Sequence, residues 1–220
     1  MIAKDLISYE IPSLSLSSSL EDALTVMDTN KCSHAVVVND GVYVGLVGES
    51  AIWEIDDHKQ IIGQAIKQFI KPAIDEKSHI YQVISLVNEF KISCVPVFNE
   101  GKEYLGVISL QNLAMNFAEL TNVNEPGGIL ILEVKNRDYS LAQAAQIVES
   151  DNAKILSSYV YGNSDTLTLE LVLKINKKDL STIISAFDRY NYIIKDSYHE
   201  SRFDEDMQGR YDQFMNYLNL

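Results

Sequence analysis

Arginine is missing from the whole first half of the chain; all four, Arg137, Arg189, Arg202 and Arg210, come after it. A bidentate grip on phosphate is therefore not available to the first half from its own residues, whose only fixed cations are lysines. Cysteine is scarce too. Two cysteines, Cys32 and Cys94, do not indicate a disulfide scaffold; they read as two small half-buried apolar residues or, as the lesser alternative because neither lies in a Cys-x-x-Cys motif, a redox pair. The four histidines lack the short spacing that puts metal ligands on one face, and Asp56-Asp57-His58 reads as a polar loop rather than a metal site. Long apolar runs are absent: Ile129-Leu-Ile-Leu132 is far too short for a bilayer, and Met1 to Ile7 lacks a basic region followed by an apolar core. The expectation is a cytoplasmic protein without a membrane partner. Positive charge is in deficit, 18 Lys and Arg against 31 Asp and Glu for a net charge of −13, so the field repels phosphate backbones and nucleic acid is not an expected partner. Gly-x-Ser-x-Gly, the phosphate-loop motif, His-Glu-x-x-His and the dinucleotide fingerprint are all missing, so no enzyme is expected.

What the chain does have is a repeat. His34-Ala-Val-Val-Val-Asn-Asp-Gly-Val-Tyr-Val-Gly-Leu-Val47 returns about sixty residues later as Cys94-Val-Pro-Val-Phe-Asn-Glu-Gly-Lys-Glu-Tyr-Leu-Gly-Val-Ile108, a period of supersecondary size. Each copy opens with a helical stripe, Leu20, Ala23, Leu24 and Met27 or Ile80, Val83, Ile84 and Val87. Two short strands around a Gly turn follow, and then a second helix start, at Glu49-Ser-Ala-Ile-Trp53 or Leu110-Gln-Asn-Leu-Ala114. A unit this small buries little alone, so the two copies are expected to pack sheet to sheet around a shared core.

With Val36-Val-Val38, Asn39-Asp-Gly41 and Gly45-Leu-Val-Gly48 in copy one, and Val95-Pro-Val97, Asn99-Glu-Gly101 and Gly106-Val-Ile-Ser109-Leu-Gln-Asn112 in copy two, the first half resembles a tandem pair of CBS domains, the Bateman module. The repeats take 1–60 and 61–121. The resemblance implies a homodimer and an adenine nucleotide as the possible ligand, held where a hydroxyl and a carboxylate at the start of the closing helix recognise ribose. Ser109 stands at the hydroxyl position and Asn112 replaces the carboxylate by a neutral, weaker acceptor. Val95 and Pro96 would line the same cleft; by themselves they are core residues. Copy one has Gly48 and Ala51 at the two functional positions. Read without the resemblance, Ser109 and Asn112 are a turn and helix-cap pair.

Turn residues Asn122 to Gly128 open a second domain, 127–200. Alternation and helical spacing give strand Ile129–Val134, helix Ser140–Asp151, strand Lys154–Tyr161, a hairpin turn at Gly162-Asn-Ser-Asp165, strand Thr166–Ile175, helix Lys178–Tyr190 and strand Tyr192–Tyr198. This is βαββαβ, a ferredoxin-like unit, and the whole chain is α+β. In a chain that begins with CBS repeats the unit resembles an ACT-like domain, and the pairing is similar to acetoin-utilisation AcuB-type proteins. That resemblance points to the loop with Asp138 and Tyr139 as a possible ligand loop; the alternative is a helix N-cap at Asp138 or Ser140. Finally, Phe203, Met207, Tyr211, Phe214 and Leu218 recur at helical spacing, an amphipathic helix over 203–220 that docks within the chain, in a dimer or on a partner protein.

Two functions follow from these expectations. One is a non-catalytic regulatory protein that senses a small metabolite in the cleft of the repeat pair. The other is a scaffold with degenerate ligand sites that binds a partner enzyme through its second domain or final helix.

Overall fold

A computed structural model of the chain describes residues 1–162 and 167–199. It divides into two compact units, Met1–Leu120 and Thr121–Leu220. The expected helix over 203–220 and most of the turn after Gly162 lie outside the described residues.

The first unit writes each repeat as helix, hairpin, helix: α1 (Leu20–Thr29), β1 (His34–Asn39), β2 (Val42–Gly48) and α2 (Glu49–Trp53), then, after the short helix α3 (Ile62–Ala65) and strand β3 (Ile74–Asp75), α4 (Ile80–Phe90), β4 (Cys94–Phe98), β5 (Tyr104–Ser109) and α5 (Leu110–Leu120). Local chemistry starts each leading helix. Ser19 Oγ accepts the Asp22 amide at 3.0 Å while the Asp22 carboxylate accepts the Ser19 amide at 2.9 Å, a capping box that also holds Asp22 below the usual carboxylate range. At α4 the Gln82 Oε1 accepts the His79 amide at 2.9 Å and His79 Nδ1 accepts the Tyr81 amide at 3.3 Å. Both helices stop at a lysine in the left-handed region, Lys31 at φ 52° and Lys91 at φ 53°. In the first hairpin Asp40 and Gly41 both have positive φ, the backbone a tight two-residue turn requires.

The strand pairings correspond one to one. His34 faces Gly48 in the first ladder and Cys94 faces Ser109 in the second, and each ladder has its irregularity just past a glycine, Gly45 opposite Val37 and Gly106 opposite Val97. Those two glycines sit at φ 152° and 151°, with another chain segment pressed against each.

The segments pressed against them come from a reciprocal exchange. The N-terminal residues, with a 3-10 turn at Ala3–Leu6, dock on the second repeat: the Ala3 amide donates to Ser78 O at 2.8 Å and the Ser8 amide to Val107 O at 2.8 Å. The connector after α2 docks back on the first repeat, where the Leu46 amide donates to Ile70 O at 2.8 Å. One core cluster accordingly mixes Ala3, Leu6 and Ile7 with Ile80, Val95 and Val107, and takes in Val36 and Leu46 from the first hairpin. A second cluster gathers Leu20, Val37, Ile52, Ile62 and Ile66. Each fully buried Leu or Ile in such a cluster contributes about 1.5–3 kcal/mol, so the two repeats are held as one body by their shared apolar residues.

The second unit holds β6 (Gly128–Lys135), α6 (Leu141–Glu149), β7 (Ile155–Tyr161), β8 (Thr168–Ile175), α7 (Ser181–Arg189) and β9 (Ile193–Tyr198). Its sheet is antiparallel throughout in the order β7-β8-β6-β9. Alternate residues Leu130, Leu132 and Val134 of β6 and Leu171, Leu173 and Ile175 of β8 pack with Ala144, Ile147, Val148, Ile183 and Phe187 of the two helices. This is the expected ferredoxin-like topology. The second helix starts at Ser181, three residues after Lys178, because the Asp179 carboxylate accepts both the amide and the hydroxyl of Ser181 and turns the chain there first.

Candidate functional site

The β5–α5 junction concentrates the polar groups of the first unit. Ser109 ends β5 with only 6% of its surface exposed. Its Oγ accepts the Asn112 amide at 3.1 Å, so it caps α5, and it lies 3.2 Å from the hydroxyl of Ser8. Asn112 Nδ2 donates to Leu6 O at 2.7 Å and thereby ties the N-terminal segment to the helix. A carboxylate at this position has no proton for that bond at neutral pH, which gives the Asn a structural reason of its own. Asn116 Nδ2 completes the network by donating to Asn112 O at 2.8 Å.

These groups form one side of a cavity of about 480 Å³. Ile7 to Ile11 make one wall, Thr29 to Lys31 at the end of α1 make another, and Ser109, Gln111, Asn112 and Met115 complete it. The volume is in the range of small-ligand sites. Lys31 is its cation, paired with Asp28 at 3.1 Å. Val95 and Pro96 do not reach this lining. Val95 is fully buried opposite Ile108, and Pro96 faces Val107 within the same ladder.

At the equivalent junction of the first repeat the backbone is the same and the side chains differ. The Glu49 amide donates to Ser33 O at 2.9 Å, as the Leu110 amide does to Ser93 O at 3.2 Å. Gly48, however, offers no hydroxyl, and the His34 imidazole lies over it. The other ring nitrogen, Nδ1, accepts the Ser93 amide at 3.3 Å and lies 3.2 Å from both the Ser93 and Ser33 hydroxyls. Cys94 Sγ donates to His34 O at 3.4 Å. Burial lowers the His34 pKa and pushes Cys94 up to about 12, with Cys32 adding to the second shift. Sequence reasoning left His34 among scattered histidines. The signal was there in the repeat alignment, where His34 and Cys94 share one position and meet across the pseudo-symmetric contact.

In the second unit Asp138 closes a short 3-10 turn, Asn136–Asp138, and pairs with Arg137 at 3.4 Å. Ser140, not Asp138, caps α6, accepting the Gln143 amide at 3.2 Å. Asp138 borders a second cavity, of about 310 Å³, with Gln143 and Tyr192, whose hydroxyl donates to Gln143 Oε1 at 2.9 Å; Tyr139 is not in that lining. Among the described residues no group of three or more His, Cys, Asp or Glu is placed to hold a metal, and no helix is long and apolar enough to cross a membrane.

Comparison with known proteins agrees with the first unit. Residues 3–52 and 66–119 match the sequence model of the CBS domain, so the chain carries a tandem CBS domain pair. Among solved structures it is similar to a CBS domain pair/ACT domain protein from Thermotoga maritima, with 18% identity over 54% of this chain and 98% of that one and a TM-score of 0.48. It is also similar to the CBS domains of a transcriptional regulator from Streptococcus pneumoniae, at 18% identity over 52% of this chain and 98% of that one, TM-score 0.45. A third likeness is to CBSX2 in complex with AMP, at 16% identity over 54% of this chain and 96% of that one, TM-score 0.47. Each match leaves nearly half of this chain uncovered.

Proposed function

We propose that this protein is a non-catalytic regulator that senses a small metabolite of the ribose-containing, adenine nucleotide class in the cleft beside Ser109 and Asn112. The observation that carries the reading is the cleft's ancestry: Thr29 to Lys31 belong to the first repeat, and Ser109 to Met115 to the second. A ligand touching both walls binds one relative arrangement of the repeats better than another, which is the only way it can shift their equilibrium. Ser109 is a buried residue of the cleft lining whose Oγ lies 3.2 Å from that of Ser8, also in the lining, and Asn112 keeps one N–H beyond the one it gives Leu6. The protein acts as a homodimer, for which exposed Trp53 on α2 supplies apolar surface. The second unit serves as an ACT-like domain and passes the ligand state to a partner.

Thermal-shift titration with AMP, ADP, ATP, S-adenosylmethionine and amino acids tests the reading. At least one adenine compound raises Tm in the wild type and fails to do so in Asn112→Leu, while Asp138→Asn, in the other unit, keeps the response. No shift with any adenine compound removes the nucleotide reading.

A further inference from the structure

The charges around the cleft narrow its ligand. Among the described residues lining it there is one cation, Lys31, and one anion, Glu10. The Lys31 ammonium is bound to Asp28 and both side chains are well exposed, so it brings little net field into the cavity. Two of the amides at the start of α5 that would greet a phosphate are already committed: Leu110 donates to Ser93 O and Asn112 to Ser109 Oγ. The opposite wall is the C-terminal end of α1, the negative pole of that helix. A phosphate chain entering here would give up its hydration and meet no guanidinium, with Glu10 nearby.

A neutral diol fits the same groups. The spare Asn112 N–H and the Ser8 and Ser109 hydroxyls, which lie 3.2 Å apart, offer both donors and acceptors without net charge. Ile7, Ile11 and the exposed thioether of Met115 provide apolar surface for a flat base.

We infer that the cleft selects a ribonucleoside without a phosphate chain over nucleoside di- and triphosphates. The inference rests on the ribose reading of the cleft and goes beyond it by stating which charge state of the ligand is taken. Isothermal titration of the full chain with adenosine, AMP and ATP at one fixed salt concentration tests it. Adenosine binds tightest and ATP at least about tenfold more weakly, and Glu10→Gln narrows the gap between them by about threefold. Adenosine affinity is the same at low and high salt, as binding without phosphate contacts requires. ATP binding as tightly as adenosine overturns the inference and leaves the ribose cleft standing. No heat from any of the three, together with no shift in Tm, overturns both.

Discussion

In the first repeat β2 ends at Gly48, with His34 across the ladder; in the second, β5 ends at Ser109, with Cys94 across it. The bulky His34 of the first pair is matched by a small residue, Cys94, in the second. In the first repeat the imidazole covers the strand end and reaches over to Ser93, so the junction is used for contact between repeats. In the second, a short thiol leaves the strand end to Ser109, a buried residue of the cavity lining. The residues that shape the backbone, by contrast, are held in common: a glycine at the ladder irregularity, a lysine in the left-handed region after the leading helix, an amide-to-carbonyl bond at the start of the closing helix. Duplication here has kept what the chain path needs and let the side chains at the two junctions diverge.

The sharpest way to break the comparison is at the paired glycines. Gly45 and Gly106 share almost the same φ, so the strain of an L side chain is nearly equal at both and drops out of the difference. Their neighbours differ. A Cβ at Gly45 would come within 2.7 Å of the Ile70 carbonyl oxygen and 2.5 Å of Phe69 Cβ, whereas at Gly106 it would meet only the Ile7 Cγ2 methyl, at 2.6 Å. The Ile7 side chain can shift its methyl by a change in χ1, at some cost for a β-branched residue, whereas the Ile70 carbonyl is held by its bond to the Leu46 amide. Gly45→Ala is therefore expected to cost about 3–5 kcal/mol and Gly106→Ala about 2–3 kcal/mol. Urea unfolding followed by far-UV circular dichroism reads the difference, and equal costs would show that the two docked segments are equally soft.

A smaller effect is expected at the closing helices. Asn112→Ala leaves Leu6 O without its partner and is expected to cost about 1–2 kcal/mol. Ala51→Asn, the reverse exchange in the first repeat, changes stability by less than about 0.5 kcal/mol because Ala51 makes no such bond. The same unfolding experiment checks both. A neutral Asn112→Ala would mean that the N-terminal segment is held by its backbone pairing with Ser78 and Val107 alone.

How much of this could be read from the residues varies with the range of the forces involved. The second unit was legible to within about three residues at the ends of its described elements, since the strand expected over Thr166–Ile175 alternates and the helix expected over Ser140–Asp151 recurs at helical spacing, and βαββαβ leaves few ways to pack. The Ser109 cap was legible because capping is local. The docking of residues 1–8 on the second repeat was not. It rests on backbone hydrogen bonds from Ala3 and Ser8 to partners far along the chain, and a backbone amide leaves no mark in the sequence. The placement of Val95 and Pro96 illustrates the same limit, because a run of apolar residues says that a strand is buried but not which face looks onto a cavity.

The least of the expected effects is a pH dependence that separates the two junctions. His34 Nδ1 accepts the Ser93 amide and faces the Ser33 and Ser93 hydroxyls, while Gly48 lies under the rest of the ring. Burial depresses its pKa in the folded protein below the ordinary imidazole value. The unfolded chain then binds more protons than the folded one as pH falls from about 6.5 toward the depressed value, so the folded state loses stability over that window and regains none of it below. Because the ring is only half-buried, solvent screens the effect, and the slope is a fraction of the about 1.4 kcal/mol per pH unit that one full proton would give. His34→Gln keeps an acceptor near Ser93 and cannot titrate, so its stability should be flatter with pH than the wild type between pH 5 and about 6.5. Cys94, the counterpart at the second junction, has its pKa near 12 and contributes no slope there. Parallel curves for His34→Gln and wild type would mean that the ring is solvated well enough to titrate as it does in the unfolded chain, and that the contact between the repeats depends on Ser33 and Ser93 rather than on the imidazole.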